Sequence, residues 1–210
     1  KQSYSLGVSV GRYLDSTLDE YTKMGLSLDS ALILRGVQDA IADKSTLTEE
    51  EVQTMMTALE EQFREKQAAI AESEAAQAIA AGKTYLEENA KKEGVTVTES
   101  GLQYEVLQAA EGAKPVASDT VKVHYTGTLV DGTKFDSSHD RGEPAQFPLN
   151  RVIPGWTEGV QLMNVGSKFK FTIPSELAYG ERDMGVIKPN SVLLFEVELL
   201  EIVAAEPAAT

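Results

Sequence analysis

The chain contains no cysteine, so disulfide bridges, thiol catalysis and thiolate metal sites are excluded. It also has no apolar run of transmembrane length, and we therefore expect no insertion into a membrane. Basic residues are comparatively few: 19 Lys and Arg stand against 33 Asp and Glu, which gives a net charge of -14. Such a balance argues against nucleic acid and against anionic membrane surfaces as partners.

Several common catalytic patterns are also absent. The chain has no glycine-rich phosphate loop and no Gly-x-Ser-x-Gly nucleophile motif. Its two histidines, His124 and His139, lack the spacing of metal ligands, so we expect neither a metal nor a cofactor. The remaining composition, with 42% hydrophobic and 25% charged residues, is ordinary for a globular protein. A length of 210 residues allows one large domain or two small ones.

The start of the chain bears on its compartment. The first residue is Lys1, not Met, from which we expect that an upstream segment has been removed or left out. The absence of cysteine suits a reducing cytosol and an exported bacterial protein equally well. Composition alone therefore leaves the compartment open.

In the first third of the chain, the apolar residues have the spacing of α-helices. Apolar residues recur every four positions from Leu6 and are continued by Tyr21. Gly7 and Gly11 lie four positions apart on this first helix, where each glycine costs about 1 kcal/mol relative to alanine. The pair is explained either by close approach of another helix backbone or by simple tolerance.

Polar caps mark the next two helices. Asp29 or Ser27 can cap the second helix. Thr48 and Glu51 have the spacing of a capping box at the start of the third. Because no proline interrupts the following segment, we predict one helix of roughly 45 residues over positions 48–93.

The third helix carries a strong apolar stripe only in its first half. The stripe runs from Val52 to Ile70 and then gives way to alanines among glutamates, so we predict that the second half is a largely solvated arm. Two short helices and half a long one make a core that is marginal alone. We therefore predict that residues 1–70 form a dimerisation domain, with a monomeric three-helix bundle as the alternative.

After Gly94 the hydrophobic period changes from 3.6 to 2, which is typical of strands. We predict an antiparallel sheet curled over one short helix near Trp156–Leu162. The whole chain is thus predicted to be α+β, with an all-α first domain, a long connecting helix and a second domain over residues 94–203. Residues 204–210 have little to bury and are predicted to form a mobile tail. The predicted strands begin near Leu102, Val121, Phe169 and Val192.

The single tryptophan, Trp156, lies next to a Pro-Gly turn signal. A lone Trp is more often part of a core than the floor of a site, but other aromatic residues flank it within one domain length. Together they have the composition of an apolar pocket with a few hydrogen-bonding groups. The members of this set are Tyr125, Phe135, Asp136, Phe147, Val152, Ile153, Trp156, Tyr179, Ile187 and Phe195.

An apolar pocket can catalyse one reaction without an acid, a base or a nucleophile, namely rotation about a prolyl amide. Amide resonance sets a barrier of about 20 kcal/mol to this rotation. Twisting the bond removes resonance and charge separation, so a site that withholds water from the carbonyl favours the twisted form.

Five short segments follow one another through the second half of the chain. They are Val123-His-Tyr-Thr-Gly127, Gly132-Thr-Lys-Phe-Asp-Ser-Ser138, Val152-Ile-Pro-Gly-Trp156, Glu176-Leu-Ala-Tyr-Gly180 and Leu194-Phe-Glu-Val-Glu-Leu-Leu200. In sequence and order they resemble the FK506-binding-protein (FKBP) type of peptidyl-prolyl cis-trans isomerase. The segments from Val8 to Leu14 and from Gly36 to Ser45 are similar to the macrophage-infectivity-potentiator branch of that family, closest to its periplasmic FkpA-like members.

This resemblance implies a complete architecture and a set of partners. The fold is a homodimer with intertwined N-terminal helices, two long helical arms and an isomerase domain at the tip of each arm. The expected ligands are unfolded proteins with X-Pro bonds and macrolide inhibitors of the FK506 and rapamycin type. The expected location is the bacterial periplasm after removal of a signal peptide, with the cytoplasm as the alternative.

The resemblance also assigns roles to single residues. Trp156 is the expected floor beneath the proline ring, and the Ile153 N–H and the Tyr179 hydroxyl are expected to donate to substrate carbonyls. Asp136 is expected near the twisting amide, oriented by Arg141 and Tyr125. The expected catalytic residues are Tyr125, Asp136 and Tyr179, and the expected substrate-binding residues are Phe135, Arg141, Phe147, Val152, Ile153, Trp156, Val186, Ile187 and Phe195.

Three functions remain in competition at this point. The first is a dimeric folding catalyst with isomerase and chaperone activity, whose two sites engage one client. The second is a holdase chaperone in which Met24, Met55 and Met56 contribute to a client-binding cleft and isomerisation is secondary. The third is a dimeric spacer with an inert second domain, which the completeness of the pocket set disfavours.

Overall fold

The computed structural model describes residues 1–203, and the predicted mobile tail at 204–210 lies outside them. The chain divides into two compact units, Lys1–Ser73 and Glu74–Thr210. Within the described part, none of the helices combines the length and the apolar character that crossing a bilayer requires.

The first unit is helical, as predicted. Helix α1 spans Gln2–Lys23, helix α2 spans Ser30–Ile41, and helix α3, which spans Glu49–Asn89, begins in this unit. Of the two candidate caps for α2, Asp29 is the one used: its carboxylate accepts hydrogen bonds from the N–H groups of Ala31 (2.8 Å) and Leu32 (3.2 Å).

The predicted capping box of α3 is confirmed. The Thr48 N–H donates to Glu51 Oε2 (2.8 Å), and the Glu51 N–H donates to Thr48 Oγ1 (3.2 Å). These bonds from the backbone and the hydroxyl of Thr48 lower the pKa of Glu51. The helix ends at Asn89, four residues before the predicted end, because the chain turns there and reverses at Gly94, whose φ is 86°.

Side chains in the first unit are poorly buried within the single chain. None of residues 1–73 falls in the buried class. Large apolar side chains such as Leu6 (68% exposed), Leu32 (64%) and Met55 (62%) face outward. The rings of Tyr21 and Phe63 meet edge to face at 5.1 Å. The three helices therefore leave much of their apolar stripe uncovered.

The second unit contains a seven-stranded antiparallel sheet, which confirms the predicted α+β fold. In spatial order the strands run β1-β2-β6-β7-β3-β4, and β5 pairs with β3. The four strands predicted from alternation correspond to β2, β3, β6 and β7, whereas the short strands β1, β4 and β5 were not predicted. The strands are β1 Val95–Val97, β2 Gln103–Gln108, β3 Thr120–Leu129, β4 Lys134–Ser137, β5 Ala145–Pro148, β6 Lys168–Ile173 and β7 Leu193–Val203.

Two short α-helices and two single 3-10 turns, Leu149–Arg151 and Ser175–Leu177, complete this unit. Helix α4 is a single turn, Ser138–Arg141. Helix α5 spans Pro154–Val160 and overlaps the predicted segment Trp156–Leu162, although it begins and ends two residues earlier. Helix α5 packs closely on the inner face of the sheet. A Cβ atom on Gly159 would lie 2.7 Å from the ring of Phe171, so only glycine permits this approach.

The second half of α3 is exposed over much of its surface, as we predicted, but one face of it packs against the second unit. Gly82 and Asn89 are buried, and a Cβ atom on Gly82 would lie 2.7 Å from Val192 Cγ2. The Asn89 amide donates to Gln103 Oε1 (2.9 Å) and to Thr172 Oγ1 (3.3 Å). Residues from Glu74 onward therefore belong with the sheet, whereas we predicted that this domain starts at residue 94. We did not predict this contact because the packed face of α3 carries alanine and glycine, which contribute little to the hydrophobic pattern of the sequence.

Candidate active site

Trp156 lies at the centre of a cluster of aromatic rings. Pro154 opens α5, which places the indole on the first turn of the helix, where it is 4% exposed. Tyr125 from β3, Phe147 from β5 and Phe195 from β7 surround it with centroid distances of 5.2, 5.5 and 5.3 Å. Their planes stand at 83–88° to the indole, the edge-to-face arrangement that contributes about 0.5–1.5 kcal/mol per pair.

Phe135 extends the cluster from strand β4. Its ring meets Phe195 edge to face at 5.5 Å. The neighbouring strand makes room for this pair at Gly127, where a Cβ atom would lie 2.6 Å from the Phe135 ring and 2.9 Å from the Phe195 ring. Gly127 was not among the predicted site residues, although a glycine at an inward-facing strand position is a recognisable signal of close packing.

Asp136, Tyr125 and Arg141 form a closed hydrogen-bonded triangle. The Tyr125 hydroxyl donates to one carboxylate oxygen of Asp136, and Arg141 donates to the other. The second guanidinium nitrogen of Arg141 donates to Tyr125 Oη at 2.9 Å. Strand β4 carries Asp136, and the single turn of α4 returns Arg141 to it five residues later.

The triangle determines the charge of its members. Burial acts to raise the pKa of Asp136, but hydrogen bonds from Tyr125 and Arg141, the charge of Arg141 and the Ser137 backbone outweigh it and lower the pKa below its usual value. Burial, followed by the hydrogen bond to Asp136, raises the pKa of Tyr125. At neutral pH the pair therefore presents a fixed carboxylate and a protonated phenol.

Ser138 fixes the backbone of Tyr125 through two hydrogen bonds. Its side chain is fully buried, and its hydroxyl accepts from the Tyr125 N–H (2.8 Å) and donates to the Tyr125 carbonyl (3.2 Å). The same hydroxyl lies 3.0 Å from His124 Nδ1. Ser138 was not predicted to be a site residue, because its role depends on contact with β3, which the residues around Ser138 do not reveal.

The remaining predicted residues fall into two groups. Val152, Ile153 and Tyr179 are partly buried and pack against the same core, and Ile187 is 8% exposed within it. Ile153 is the N-cap of α5, so the helix itself does not use its N–H. Val186 is 55% exposed and is not part of this core.

Across positions 1–203, no three or more His, Asp or Glu side chains come together as a metal site. His124 and His139 stack on each other with centroids 4.5 Å apart. Two cavities of about 270 and 300 Å³ occur in the described part of the chain, and neither is lined by the Trp156 cluster. Trp156, Tyr125 and Phe195 are buried members of the core, and Phe135 and Phe147 are partly buried against it.

Comparisons with known proteins give a consistent result. The profile of FKBP-type peptidyl-prolyl cis-trans isomerases matches residues 111–200. The profile of the domain amino-terminal to FKBP-type peptidyl-prolyl isomerase matches residues 1–106. The FKBP-type peptidyl-prolyl cis-trans isomerase FkpA of Aeromonas hydrophila is 55% identical over 209 residues, which cover 100% of this chain and 77% of that protein.

Two further proteins resemble the chain along nearly all of its length. The FKBP-type 22 kDa peptidyl-prolyl cis-trans isomerase of Escherichia coli (strain K12) is 52% identical over 201 residues, or 95% of this chain and 93% of that protein. The crystal structure of FkpA from Escherichia coli aligns with a TM-score of 0.81 at 47% identity and covers 96% of this chain and 94% of that one.

Proposed function

The chain belongs to the family of FKBP-type peptidyl-prolyl cis-trans isomerases, and from this premise we propose that it works as a homodimeric folding catalyst with chaperone activity. Its reaction is rotation about X-Pro bonds, whose barrier is about 20 kcal/mol. The observation that carries the proposal for the site is that four aromatic rings pack together and that one of them, Tyr125, hydrogen-bonds to the Asp136 carboxylate.

The rings supply the environment for rotation. We assign the floor beneath the proline ring to Trp156, with walls from Phe135, Phe147 and Phe195. The planar amide is more polar than the twisted one, because resonance places charge on its oxygen and nitrogen. A ring-lined site that displaces water from the carbonyl therefore favours the twisted amide over the planar one.

The polar groups orient the substrate and supply a fixed electrostatic field at the rotating bond. Asp136 is held by two donors and stays ionised, so its field at the bound amide requires no reorganisation during rotation. The Ile153 N–H and the Tyr179 hydroxyl are assigned to the substrate carbonyls, where they fix the chain on either side of the rotating bond. The site uses Tyr125 and Arg141 to position Asp136 and transfers no proton.

Poor burial in the first unit supports a dimer. Leu6, Leu32 and Met55 are more than half exposed in the single chain, and none of residues 1–73 is buried. Burying one large aliphatic side chain contributes about 1.5–3 kcal/mol. A second copy that covers the uncovered stripe would therefore supply much of the stability of this unit. Linking two catalytic sites also raises the effective concentration of the second site on one client without any new contact.

A second candidate function rests on the same exposed stripe. Met55 is 62% exposed and Met56 45% exposed in the single chain, and methionine adapts to varied apolar partners. In the holdase alternative these side chains bind unfolded clients and isomerisation is secondary. The two functions compete for one surface, because a methionine buried between two copies is not available to a client.

The proposed ligands and location follow from kinship with FkpA. Clients are unfolded proteins with X-Pro bonds, and macrolides of the FK506 and rapamycin type compete for the ring cluster. We assign the protein to the bacterial periplasm, after removal of a signal peptide, with the cytoplasm as the alternative. Fractionation of cells that express the full gene distinguishes the two compartments.

The test combines two substrates with a mass measurement. The full chain is assayed on a short X-Pro peptide and on an aggregation-prone protein client, each with and without a macrolide, and its mass is measured by sedimentation. We expect a dimer whose peptide isomerisation is abolished by the macrolide while part of the protection against aggregation remains. A monomeric mass contradicts the dimer, and an inactive chain on the peptide contradicts the assigned site. Complete loss of protection with the macrolide contradicts the holdase alternative.

A further inference from the structure

Residues 181–188, which we call the 181–188 loop, follow Tyr179 closely and precede strand β7. The loop carries Val186 and Ile187, both expected above to bind substrate. Residues 181–186 are all exposed, whereas Ile187 is buried in the same core as Trp156. The loop therefore inserts one side chain into the core, and its exposed part needs other contacts to keep a single conformation.

Hydrogen bonds within the loop shape its tip. The Met184 N–H donates to the Ile187 carbonyl (3.0 Å), and the Gly185 N–H donates to Asp183 Oδ1 (2.7 Å). All of these groups belong to the loop itself. The bonds therefore define a turn, but they do not attach that turn to the rest of the second unit.

Lys188 attaches this turn to helix α3. Its Nζ lies 3.1 Å from Glu74 Oε2 and 3.7 Å from Asp183 Oδ2. The hydrogen bond to Glu74, together with the charges of Glu74 and Asp183, raises the pKa of Lys188. The backbone of Lys188 is fixed as well, because its carbonyl accepts from the N–H (3.2 Å) and the hydroxyl (2.7 Å) of Ser191. One ammonium group thus joins the loop to a helix that is remote in sequence.

Helix α3 gives this contact a firm anchor. At Gly82 the helix approaches the residue before β7 so closely that a Cβ atom would lie 2.7 Å from Val192 Cγ2. Towards Glu74, a cavity of about 300 Å³ lies between the helix and the segment that contains Lys188 and Ser191. Glu74 and Lys188 both line this cavity, and their ion pair joins its two sides. The pair therefore connects helix and loop at a place where the two do not pack directly.

We propose that Lys188 is a positioning residue of the isomerase, and that it holds the loop between Asp183 and Glu74 so that Val186 and Ile187 are in place for the substrate. The proposal rests on the proposed function, which supplies the X-Pro substrate. Lys188 itself does not touch the substrate. When the tether is removed, the substrate must order the loop as it binds, which weakens the ground state and the transition state equally. The loss therefore appears in KM and leaves kcat unchanged.

The first measurement separates KM from kcat on a short X-Pro peptide, with the full chain. We expect KM to rise about threefold in Lys188→Gln and in Glu74→Gln, with kcat and Tm unchanged. The expected change is small because the two side chains are 40% and 43% exposed, and ion pairs in water are weak. The double variant is expected to match the single ones, because all three remove the same contact.

Conservative and matched variants separate the ion pair from the loss of any charge. Lys188→Arg keeps the cation and is expected to keep the native KM. Glu87→Gln removes a carboxylate from an exposed position on α3 in the same unit and is the matched control, with unchanged KM. Glu74 lies outside the loop, so an effect of Glu74→Gln on KM is not explained by a local change in the loop sequence.

The second measurement needs no substrate. Backbone order parameters from NMR relaxation are compared for the native chain and the two Gln variants. We expect Met184, Gly185 and Val186 to show values near about 0.85 in the native chain and below about 0.6 in both variants, with Trp156 unchanged. If the native chain does not isomerise the peptide, the proposed function fails, and this measurement still decides whether Lys188 fixes the loop.

Four results overturn the proposal. They are native order parameters in both Gln variants, a loop that is already flexible in the native chain, an unchanged KM in both variants of an active enzyme, and a lowered kcat or Tm at native KM. An effect of Lys188→Gln that Glu74→Gln does not share also contradicts the tether to α3. The two substitutions lie on different elements, so one of them decides the proposal even if the other chain fails to fold.

Discussion

At the scale of single residues, the state of Asp136 depends on its hydrogen-bond donors. Tyr125 and Arg141 occupy both carboxylate oxygens, and Arg141 also lies 5.5 Å from the centroid of the Tyr125 ring. Each member of the triangle therefore restrains the other two. The arrangement explains why a carboxylate that is partly withdrawn from water keeps a lowered pKa.

The lowered pKa of Asp136 predicts how the site responds to acid. An aspartate in an unfolded chain has a pKa of about 3.9. The stabilisation from ionised Asp136 is therefore complete above that pH, and it is lost as the pH falls through the lower pKa that Asp136 has in the folded state. We expect the difference in unfolding free energy between the native chain and Asp136→Asn to be constant from neutral pH to about pH 4 and to shrink below it. Urea titrations across this range measure the difference. A step near neutral pH would show that another group controls the triangle.

Tyr179 offers a test of the assigned hydrogen bond to substrate. Its ring packs against the core, so Tyr179→Phe keeps the packing and removes only the hydroxyl. One hydrogen bond contributes about 0.5–1.5 kcal/mol, so we expect kcat/KM on a prolyl peptide to fall about fivefold, with stability changed by less than about 0.5 kcal/mol. Tyr104→Phe removes a hydroxyl from the same unit, outside the ring cluster, and is the control. Equal kcat/KM in both variants would remove Tyr179 from the mechanism.

At the scale of elements, the second half of α3 is anchored by a buried polar network. Asn89 bonds to Gln103 and Thr172, which are 4% and 2% exposed, and Gln103 Nε2 donates to the Leu86 carbonyl at 2.9 Å. At the start of the unit, Glu74 Oε2 lies 3.1 Å from Lys188 Nζ. The helix is therefore held at both ends of the stretch that belongs to the second unit.

Because of this network, we expect the stability of the second unit to depend on the second half of α3. Asn89→Ala removes the donor to Gln103 Oε1 and to Thr172 Oγ1, and each buried group left unsatisfied costs about 1–3 kcal/mol. We expect a loss of that size in urea unfolding, whereas Glu88→Ala, on the exposed side of the same turn, changes stability by less than about 0.5 kcal/mol.

Truncation tests the same boundary without a substitution. A fragment that begins at Glu74 keeps the helix, and one that begins at Gly94 lacks it. We expect the shorter fragment to unfold at a lower urea concentration and to show reduced peptide isomerisation. Equal midpoints for the two fragments would mean that the helix contributes nothing to the sheet.

At the scale of the whole molecule, substitutions at Gly7 and Gly11 can show whether α1 is exposed in solution or packed against a second copy of the chain. In the single chain a Cβ atom on Gly7 or on Gly11 would meet nothing within 4 Å. If α1 is exposed in solution, alanine at both positions stabilises it by about 1 kcal/mol each. If a second copy lies against it, leucine at both positions blocks the approach. We expect Gly7→Leu with Gly11→Leu to convert the dimer to monomer.

Sedimentation of the native chain and of the leucine and alanine variants provides the measurement. The alanine variant is the matched control, because it tests helix propensity with the smallest added volume. A dimer that persists in the leucine variant would leave the glycines without a packing role and would direct attention to the other exposed apolar residues of the first unit.

Local chemistry made much of this protein predictable. The capping box of Thr48 and Glu51 and the four long strands depend on neighbours a few residues away, and such patterns are visible in the sequence itself. The aromatic set around Trp156 was predictable for a related reason: large rings in a small domain have few places to pack other than on one another.

Only the tertiary structure decided which distant residues meet. Asn89 reaches Thr172 across 83 positions, and Gly127 makes room for Phe135 only once β3 and β4 pair. The packed face of α3 went unpredicted because alanine and glycine bury little apolar area, so their burial depends on close approach to a surface supplied from elsewhere in the chain. Helix and strand formation depend on local spacing, whereas the partner of a small or polar side chain is set by the packing of elements that are remote in sequence.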